Sequence, residues 1–159
     1  MGTLIVISGN GTGAGKTTLA RRLYVGAVLT ALATGLREHV ARLFPEDRHH
    51  IMGIYAEDKA HVLPDGRTVR EALIEEGAAG RSYDKYVWCN AWSDRVKDVR
   101  HTEDITVDDV RTVTELMYLR RWAADHGREL LHLHLHHEGA APEPFDDLSA
   151  YADYLVRRS

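Results

Sequence analysis

Residues 4–18 have the sequence Leu4-Ile5-Val6-Ile7-Ser8-Gly9-Asn10-Gly11-Thr12-Gly13-Ala14-Gly15-Lys16-Thr17-Thr18, in which an apolar run leads directly into a glycine-rich turn. A short apolar run predicts a buried strand, and the lysine and threonines after the turn predict the start of a helix. Backbone N–H groups in such a turn can point into one concavity and bind phosphate. The stretch therefore predicts an α/β domain that binds the phosphates of a nucleotide.

The residue types of this loop indicate which groups contact the nucleotide. Lys16 would reach the β- and γ-phosphates, and the Thr17 hydroxyl would coordinate Mg²⁺. The usual spacing, G-x-x-x-x-G-K-S/T, has glycine where this chain has Asn10. Asparagine accepts a positive φ more readily than most residues, so Asn10 is interpreted as an ordinary first loop position. The predicted nucleotide-binding set is Asn10, Gly11, Thr12, Gly13, Ala14, Gly15, Lys16, Thr17 and Thr18. The alternative is a glycine-rich turn that binds nothing.

The size and charge of the chain limit the classes of function. A chain of 159 residues has the length of one domain. Its formal net charge of -4 argues against a general DNA or RNA binder, which would carry a basic surface. Cys89 is the only cysteine, so no intrachain disulfide can form. There is no signal-peptide pattern and no apolar run long enough to span a membrane, so we expect a soluble, cytoplasmic protein.

The first half of the chain predicts mainly helices. Leu19, Leu23, Ala27 and Thr30 recur at helical spacing and predict a helix over residues 16–33. The remaining expectations are a short helix over residues 36–44 that Pro45 stops, a helix over 69–76 that starts at a capping box and is closed by glycine, and a helix over 84–97. Residues 46–65 have no clean period and are expected to form either a loop or a mobile segment that faces the substrate.

The second half alternates strands and helices. Residues 105–110 predict a strand, Thr112 and Glu115 form a second capping box for a helix that ends near His126, and residues 130–136 and 152–156 predict two more strands. Strands that alternate with helices favour a parallel sheet with helices on both faces, which is a three-layer α/β/α fold.

Charged residues after the third predicted strand are candidates for the catalytic centre. Asp108 and Asp109 lie where a second acidic group would hold Mg²⁺ directly or through water. Successive strand residues point to opposite faces, so only one can face the site, and we prefer Asp109; a solvated acidic pair is the alternative. Arg111, Arg70 and Arg81 could offset the charge of phosphate groups, although each could equally be an ordinary surface cation.

The alternating histidines could suggest a metal site. His132, His134 and His136 share one face of a strand, but no carboxylate or cysteine pattern completes a zinc site, so we expect a half-polar sheet face and no metal there. Trp88 and Trp92 are expected in the core, with a place beside a substrate base as the alternative.

With these positions in hand, the chain resembles the bacteriophage deoxynucleoside monophosphate kinases. Three blocks carry the resemblance and cover about two-thirds of the chain: residues 4–18; then 57–59, 67–73, 76–77, 80–81 and 88; and finally 105–111 with Glu115. The resemblance implies a nucleoside monophosphate kinase-like P-loop fold formed by a single domain, residues 1–159, with a substrate-binding helical segment at about 36–100. It implies transfer of the ATP γ-phosphoryl group to a deoxynucleoside monophosphate, with Mg²⁺.

Carried over residue by residue, the resemblance assigns roles to a small set of side chains. Lys16, Asp109, Arg111 and Arg81 would be catalytic, and Thr17 and Asp109 would hold the metal. The implied substrate-binding residues are Lys59, Arg70, Arg81, Trp88 and Glu115. A homodimer is compatible with the resemblance, and neither nucleic acid nor a membrane is an expected partner.

One departure from the family pattern concerns the lid. Related kinases have an arginine-bearing lid after the strand that ends here near His137, but residues 138–147 contain no arginine. Arg120, Arg121, Arg157 and Arg158 are candidates to replace it. Another P-loop small-molecule kinase, and a nucleotide-binding module without transfer activity, are the alternative functions.

Overall fold

The computed structural model describes residues 1–11, 15–140 and 146–158, which divide into two compact units. The first unit comprises residues 1–31 and 95–159, and the second comprises residues 32–94. Thr12, Gly13 and Ala14 of the predicted nucleotide-binding set lie outside the described residues. The second unit overlaps the range of about 36–100 that the resemblance assigns to substrate binding, and that role stays a prediction.

A five-stranded parallel sheet forms the first unit. Its strands are β1 (Thr3–Gly9), β2 (Val28–Thr30), β3 (Ile105–Val107), β4 (Glu129–His137) and β5 (Tyr154–Arg158), in the spatial order β2-β3-β1-β4-β5. β1 is the central strand, and Val6 is level with Val107 of β3 on one side and His132 of β4 on the other. Leu4 to Ile7 are at most 1% exposed, because a central parallel strand is covered on both faces.

Two helices connect the strands of this sheet. α1 (Lys16–Leu23) follows β1, and α7 (Val113–Asp125) joins β3 to β4. From β1 the chain passes through α1 to β2 at one edge of the sheet, whereas from β3 it passes through α7 toward the other edge, to β4. Because crossovers between parallel strands are right-handed, these opposite directions put the two helices on opposite faces of the sheet. Ile5 and Ile7 pack with Ala20 of α1 on one face. The predicted α/β fold, a parallel sheet between helices, is therefore confirmed.

The second unit is helical. Its helices are α2 (Thr34–Leu43), α3 (Arg48–Ile51), α4 (Ala56–Ala60), α5 (Val69–Tyr83) and α6 (Val87–Val96), which continues into the first unit, and a 3-10 turn spans Pro45–Asp47. Leu36 and Val40 of α2 pack with Ile51, Val69 and Ala72 in one core cluster. The apolar residues of these helices are spaced three or four apart, which places them on one face of each helix.

Several predicted elements are confirmed with small shifts. Both capping boxes are present, with Thr68 accepting a hydrogen bond from the backbone N–H of Glu71 and Thr112 accepting one from Glu115. The helices predicted over 36–44 and 84–97 correspond to α2 and α6, and the strands over 130–136 and 152–156 correspond to β4 and β5. β3 ends at Val107, so it is shorter than the predicted strand over 105–110.

The helix predicted over residues 16–33 is wrong beyond Leu23. The chain turns at Gly26, which has a φ of 92°, and then forms β2 at the sheet edge. The hydroxyl of Thr30 donates a hydrogen bond to the carbonyl of Thr106 in β3 (2.6 Å). The helical spacing of this stretch continues as far as Thr30. A strand of three residues is too short to break that pattern, so the sequence showed no sign of β2.

Two further predictions in the second unit are corrected. The loop expected over residues 46–65 contains α3, α4 and the 3-10 turn. α5 continues through Gly77 and Gly80 instead of ending before Gly77. A Cβ at Gly80 would overlap the Trp88 ring, and one at Gly77 would lie 3.1 Å from Leu36. These glycines permit close packing within the helix, whereas the sequence pattern suggested a helix end.

None of the helices in the described part of the chain combines the length and apolar character that crossing a membrane requires.

The burial of α7 leads to a stability prediction. Leu116 is fully buried, whereas its neighbour Met117 is 41% exposed. We expect Leu116→Ala to lower the free energy of unfolding by about 2–5 kcal/mol, because it removes buried methyl groups and leaves a cavity. Met117→Ala is the matched control and should cost under about 1 kcal/mol. Urea unfolding measures both, and equal losses would contradict the described packing of α7.

Candidate phosphate-binding site

The glycine-rich loop ends where α1 begins. Gly15 is the N-cap of α1 with a φ of 93°, a left-handed conformation that glycine adopts without strain. Its carbonyl accepts a hydrogen bond from the backbone N–H of Leu19 (2.9 Å), so Lys16 starts a regular helix. The first N–H groups of a helix have no partners within the helix and carry partial positive charge. This end of the loop is therefore suited to bind an anion.

The loop contacts the end of the neighbouring strand β3. The Thr17 hydroxyl donates a hydrogen bond to Oδ2 of Asp108 (2.8 Å), which is the first residue after β3. A hydroxyl and a carboxylate are hard oxygen ligands, the type that Mg²⁺ prefers. Together they fit the predicted metal, which Thr17 and Asp108 would hold directly or through water.

Asp109 is the residue that the strand pattern predicts for this position, but the contact belongs to Asp108. That prediction rested on the alternation of side chains along a strand, and β3 has already ended at Val107. The negative charge of Asp109 instead acts on Glu115 and contributes to raising its pKa. The metal-binding role proposed for Asp109 stays a prediction.

Glu115 organises the main chain at the start of α7. Its Oε2 accepts hydrogen bonds from the backbone N–H groups of Arg111 (2.8 Å) and Thr112 (3.1 Å). Burial is the chief cause that raises the pKa of Glu115, and the nearby charge of Asp109 adds to it. Glu115 thus fixes the backbone from which the exposed side chain of Arg111 extends.

A buried polar cluster lies on the opposite face of the sheet from α1. The Ser8 hydroxyl lies 2.7 Å from Nε2 of His132 and 2.9 Å from Nδ1 of His134. These three residues are at most 3% exposed, so the expected half-polar sheet face is wrong for His132 and His134, which belong to the core. Within the described residues no group of histidine, cysteine and acidic side chains is arranged to hold a metal.

Burial determines the protonation of these histidines. It lowers the pKa of His132 to about 4, so this ring is neutral at pH 7. Burial is also the chief cause that lowers the pKa of His134; the negative charge of Asp147 opposes this shift, and the charge of Lys16 adds to it. A neutral ring donates through one nitrogen and accepts through the other, so Ser8 can accept from one histidine and donate to its neighbour. Sequence reasoning missed this role of Ser8, and the alternating histidines were the only signal.

The start of the loop is held by β4. Both polar atoms of the Asn10 side chain pair with the main chain of His137, Nδ2 donating to its carbonyl (2.9 Å) and Oδ1 accepting from its N–H (3.0 Å). The positive φ considered for Asn10 is not used, since every described residue with a positive φ is a glycine.

A cavity of about 350 Å³ lies beside this end of the loop in the first unit. Its lining combines loop, strand and turn residues: Gly9, Asn10, His134, His136, Asp146, Asp147, Ser149, Leu155 and Arg157. Asp146 accepts a hydrogen bond from the backbone N–H of Val113 (2.8 Å), which ties this wall to the start of α7.

The arginines considered as replacements for a lid arginine occupy different places. Arg120 donates to the carbonyl of Tyr151 (2.9 Å) and Arg121 forms an exposed pair with Asp125 at 3.9 Å. Arg157 lines the cavity beside the start of the loop. The Arg158 side chain lies outside the described part of the structure.

The substrate-binding residues implied by the resemblance lie mostly in the second unit. Lys59 is on α4, and Arg70 and Arg81 are exposed on α5. Arg70 and Arg81 are eleven residues apart in α5, which places them on the same face of the helix and about 16 Å apart along its axis. One phosphate could therefore contact both only if both side chains extended toward it. Trp88 is half-buried, and its Nε1 donates to the carbonyl of Gly77 (3.2 Å). Trp92 is in the core, at 1% exposed.

Comparisons with known proteins add a similarity of structure. No protein-family model matches the chain, and no curated protein sequence is significantly similar to it. A solved structure of a mutant of the Mycobacterium tuberculosis APS kinase CysC is similar with a TM-score of 0.40 and 15% identity, covering 99% of this chain and 88% of that chain. Similarity at this level assigns neither a family nor a substrate to the chain.

The depressed pKa of His132 predicts how stability depends on pH. Its pKa is 6.5 in an unfolded chain and about 4 in the folded protein, so the unfolded state takes up a proton first as the pH falls. The stabilisation that comes from the neutral His132 ring is complete above pH 6.5 and is lost as the pH falls toward 4. Between pH 7 and pH 4.5 the free energy of unfolding should fall by about 2 kcal/mol for this reason. Urea unfolding at both pH values should show this loss in the wild type. In His132→Gln the loss should be smaller by that amount, and an equal loss would refute the assignment.

Proposed function

We propose that this protein is a P-loop kinase that transfers the γ-phosphoryl group of ATP to a deoxynucleoside monophosphate. The observation that supports this proposal most directly is the 2.8 Å hydrogen bond from the Thr17 hydroxyl to Oδ2 of Asp108. It joins the helix that follows the glycine-rich loop to a carboxylate at the end of the adjacent strand β3. A loop that served only as a turn would have no need of a carboxylate against that threonine.

The division of work among the residues of the first unit follows from their chemistry. Backbone N–H groups at the start of α1 and the Lys16 ammonium would bind the donor phosphates. The oxygens of Thr17 and Asp108 would hold Mg²⁺, which when bound neutralises charge on the phosphates. Glu115 would hold the Arg111 backbone, so that the guanidinium could meet the charge on the transferred group.

The transfer itself requires positioning more than covalent help from the protein. An oxygen of the acceptor monophosphate forms a bond to the γ-phosphorus, and the bond from that phosphorus to the β–γ bridging oxygen breaks, which releases ADP. Both reactants are anions, so cations must hold them together. Arg81 and Arg70 on α5, with Lys59 and Trp88, are proposed to bind the acceptor on the basis of the resemblance.

A panel of acceptor molecules tests whether the protein transfers the phosphoryl group to a deoxynucleoside monophosphate. Purified protein, ATP and Mg²⁺ are mixed with each deoxynucleoside monophosphate, and separately with non-nucleotide alcohols, and the ADP and phosphorylated product are measured. We expect ADP and a deoxynucleoside diphosphate with at least one monophosphate. Product from non-nucleotide alcohols alone would favour another small-molecule kinase. ATP binding without any product would favour a nucleotide-binding module.

Lys16 provides the first mutational test. Lys16→Ala should lower kcat/KM at least about a hundredfold, because the ammonium stabilises charge on the transferred group. Arg22→Ala removes an exposed cation from the same helix and is the matched control, with activity within about twofold of the wild type. Similar losses in the two variants would show a general charge effect and would contradict the assignment of Lys16.

The two aspartates after β3 provide the second test. Asp108→Asn removes the negative charge that faces Thr17, so we expect the Mg²⁺ concentration for half-maximal activity to rise about tenfold or more. Asp109→Asn is the matched substitution one residue along the chain and should shift the Mg²⁺ requirement less. A magnesium titration of activity measures both, and a larger shift in Asp109→Asn would restore the prediction made from the sequence.

A further inference from the structure

β1 leaves the sheet before its partner β4 does, because β4 continues for two residues beyond the last paired position. Their pairing ends at Gly9 and Leu135, followed by a hydrogen bond from the backbone N–H of Asn10 to the carbonyl of Leu135 (3.3 Å). β4 continues to His137, where its other edge pairs with β5. In a continued parallel ladder, the N–H and carbonyl of His137 would pair with the main chain of the departing strand.

The side chain of Asn10 takes the place of the two main-chain groups that a continued strand would offer to His137. Its Oδ1 accepts from the N–H of His137 (3.0 Å) and its Nδ2 donates to the carbonyl of the same residue (2.9 Å). A carboxamide has the same acceptor and donor as a peptide group. Glycine, the usual residue here, can supply neither bond, and aspartate can supply only the acceptor.

From this geometry we propose that Asn10 is a positioning residue of the phosphate loop. Its carboxamide continues the β1–β4 ladder, which frees the main chain to leave the sheet and form the loop while β4 keeps its hydrogen bonds. The side chain is occupied by His137, so Asn10 acts on the nucleotide through the position of the loop and not by touching phosphate. A loop that is held in its binding conformation has less freedom to lose when nucleotide binds. The inference rests on the proposed nucleotide site at this loop.

The test is the binding of ADP with Mg²⁺, measured by titration calorimetry, to the wild type and to Asn10→Ala, Asn10→Gly and Asn10→Asp. Binding of ADP requires neither an acceptor nor a transfer step. We expect Asn10→Ala and Asn10→Gly to weaken ADP binding about tenfold, since each lacks two hydrogen bonds that hold the loop. Glu138→Gln changes an exposed side chain next to the same strand end and should bind as the wild type does.

Asn10→Asp separates positioning from a general loss of stability. At pH 7.5 its carboxylate faces the His137 carbonyl with no proton to donate, so ADP affinity should fall at least as far as in Asn10→Ala. Contact with the His137 carbonyl disfavours the charged carboxylate and raises the pKa of the introduced carboxyl above the usual value of about 3.9, so lowering the pH toward 5 protonates part of it and restores a donor. The affinity of Asn10→Asp relative to the wild type at the same pH should then recover several-fold, a change that a merely destabilised protein would not show. Thermal unfolding identifies the variants that are folded at the temperature of the titration.

Each outcome supports or overturns the inference. If the wild type binds ADP and folded Asn10→Ala or Asn10→Gly binds it within twofold, the inference is overturned and the proposed function stands. The inference is also overturned if the ADP affinity of Asn10→Asp, relative to the wild type at the same pH, does not change with pH. If the wild type binds no ADP, the inference and the proposed function fall together.

Discussion

The parallel pairing of β1 with both β3 and β4 is the constraint on which the rest of the first unit depends. Because β1 is central, its main chain is bonded on both edges and its side chains are buried on both faces. The loop that follows β1 therefore starts from a fixed point. β3 brings Asp108 to Thr17 on one side, and β4 brings His137 to Asn10 on the other. Neither neighbour is close to β1 in the sequence.

β1 carries one buried polar side chain, Ser8, beside the apolar residues Leu4 to Ile7. Ser8 is paired with two histidines of β4, and both rings have depressed pKa values because burial disfavours their charged forms. Nδ1 of His132 has no partner at good hydrogen-bond geometry among the described residues, although the main chain of Tyr151 acts on this ring to raise its pKa against the larger effect of burial. If the ring donates through Nε2 to Ser8, the unpaired nitrogen is an acceptor, and no buried N–H is left unsatisfied. Ser8 then donates to His134, so a chain of neutral hydrogen bonds crosses the sheet beside the loop.

Sequence patterns predicted those parts of the molecule that local chemistry determines. The capping boxes at Thr68 and Thr112 are local, because the side chain that makes the contact lies within a few residues of its partner. The strand before the loop was predicted because its residues are apolar one after another, which is a pattern within the strand itself. β2 and the course of α5 were missed because each depends on a distant partner. β2 exists through its pairing with β3, and Gly77 and Gly80 continue α5 because other side chains pack against them. The same distinction applies to the candidate site. The loop could be predicted from its own residues, whereas the contacts of Thr17 and Asn10 with residues at the ends of β3 and β4 could not, because those partners are distant in the sequence.

The difference between Asp108 and Asp109 shows why an acidic pair after a strand cannot be resolved by periodicity. Alternation of side chains holds only while the backbone is extended, and β3 has ended at Val107. Beyond that point the direction of each carboxylate depends on where the chain must go next. Here it must reach Thr112, where the main chain of Arg111 is bonded to Glu115 and to Asp146. The start of α7 thus limits the path of residues 108–111, and that path leaves the carboxylate of Asp108 against Thr17. A helix start three residues beyond the pair can therefore decide which carboxylate meets the phosphate loop, although it takes no part in the strand itself.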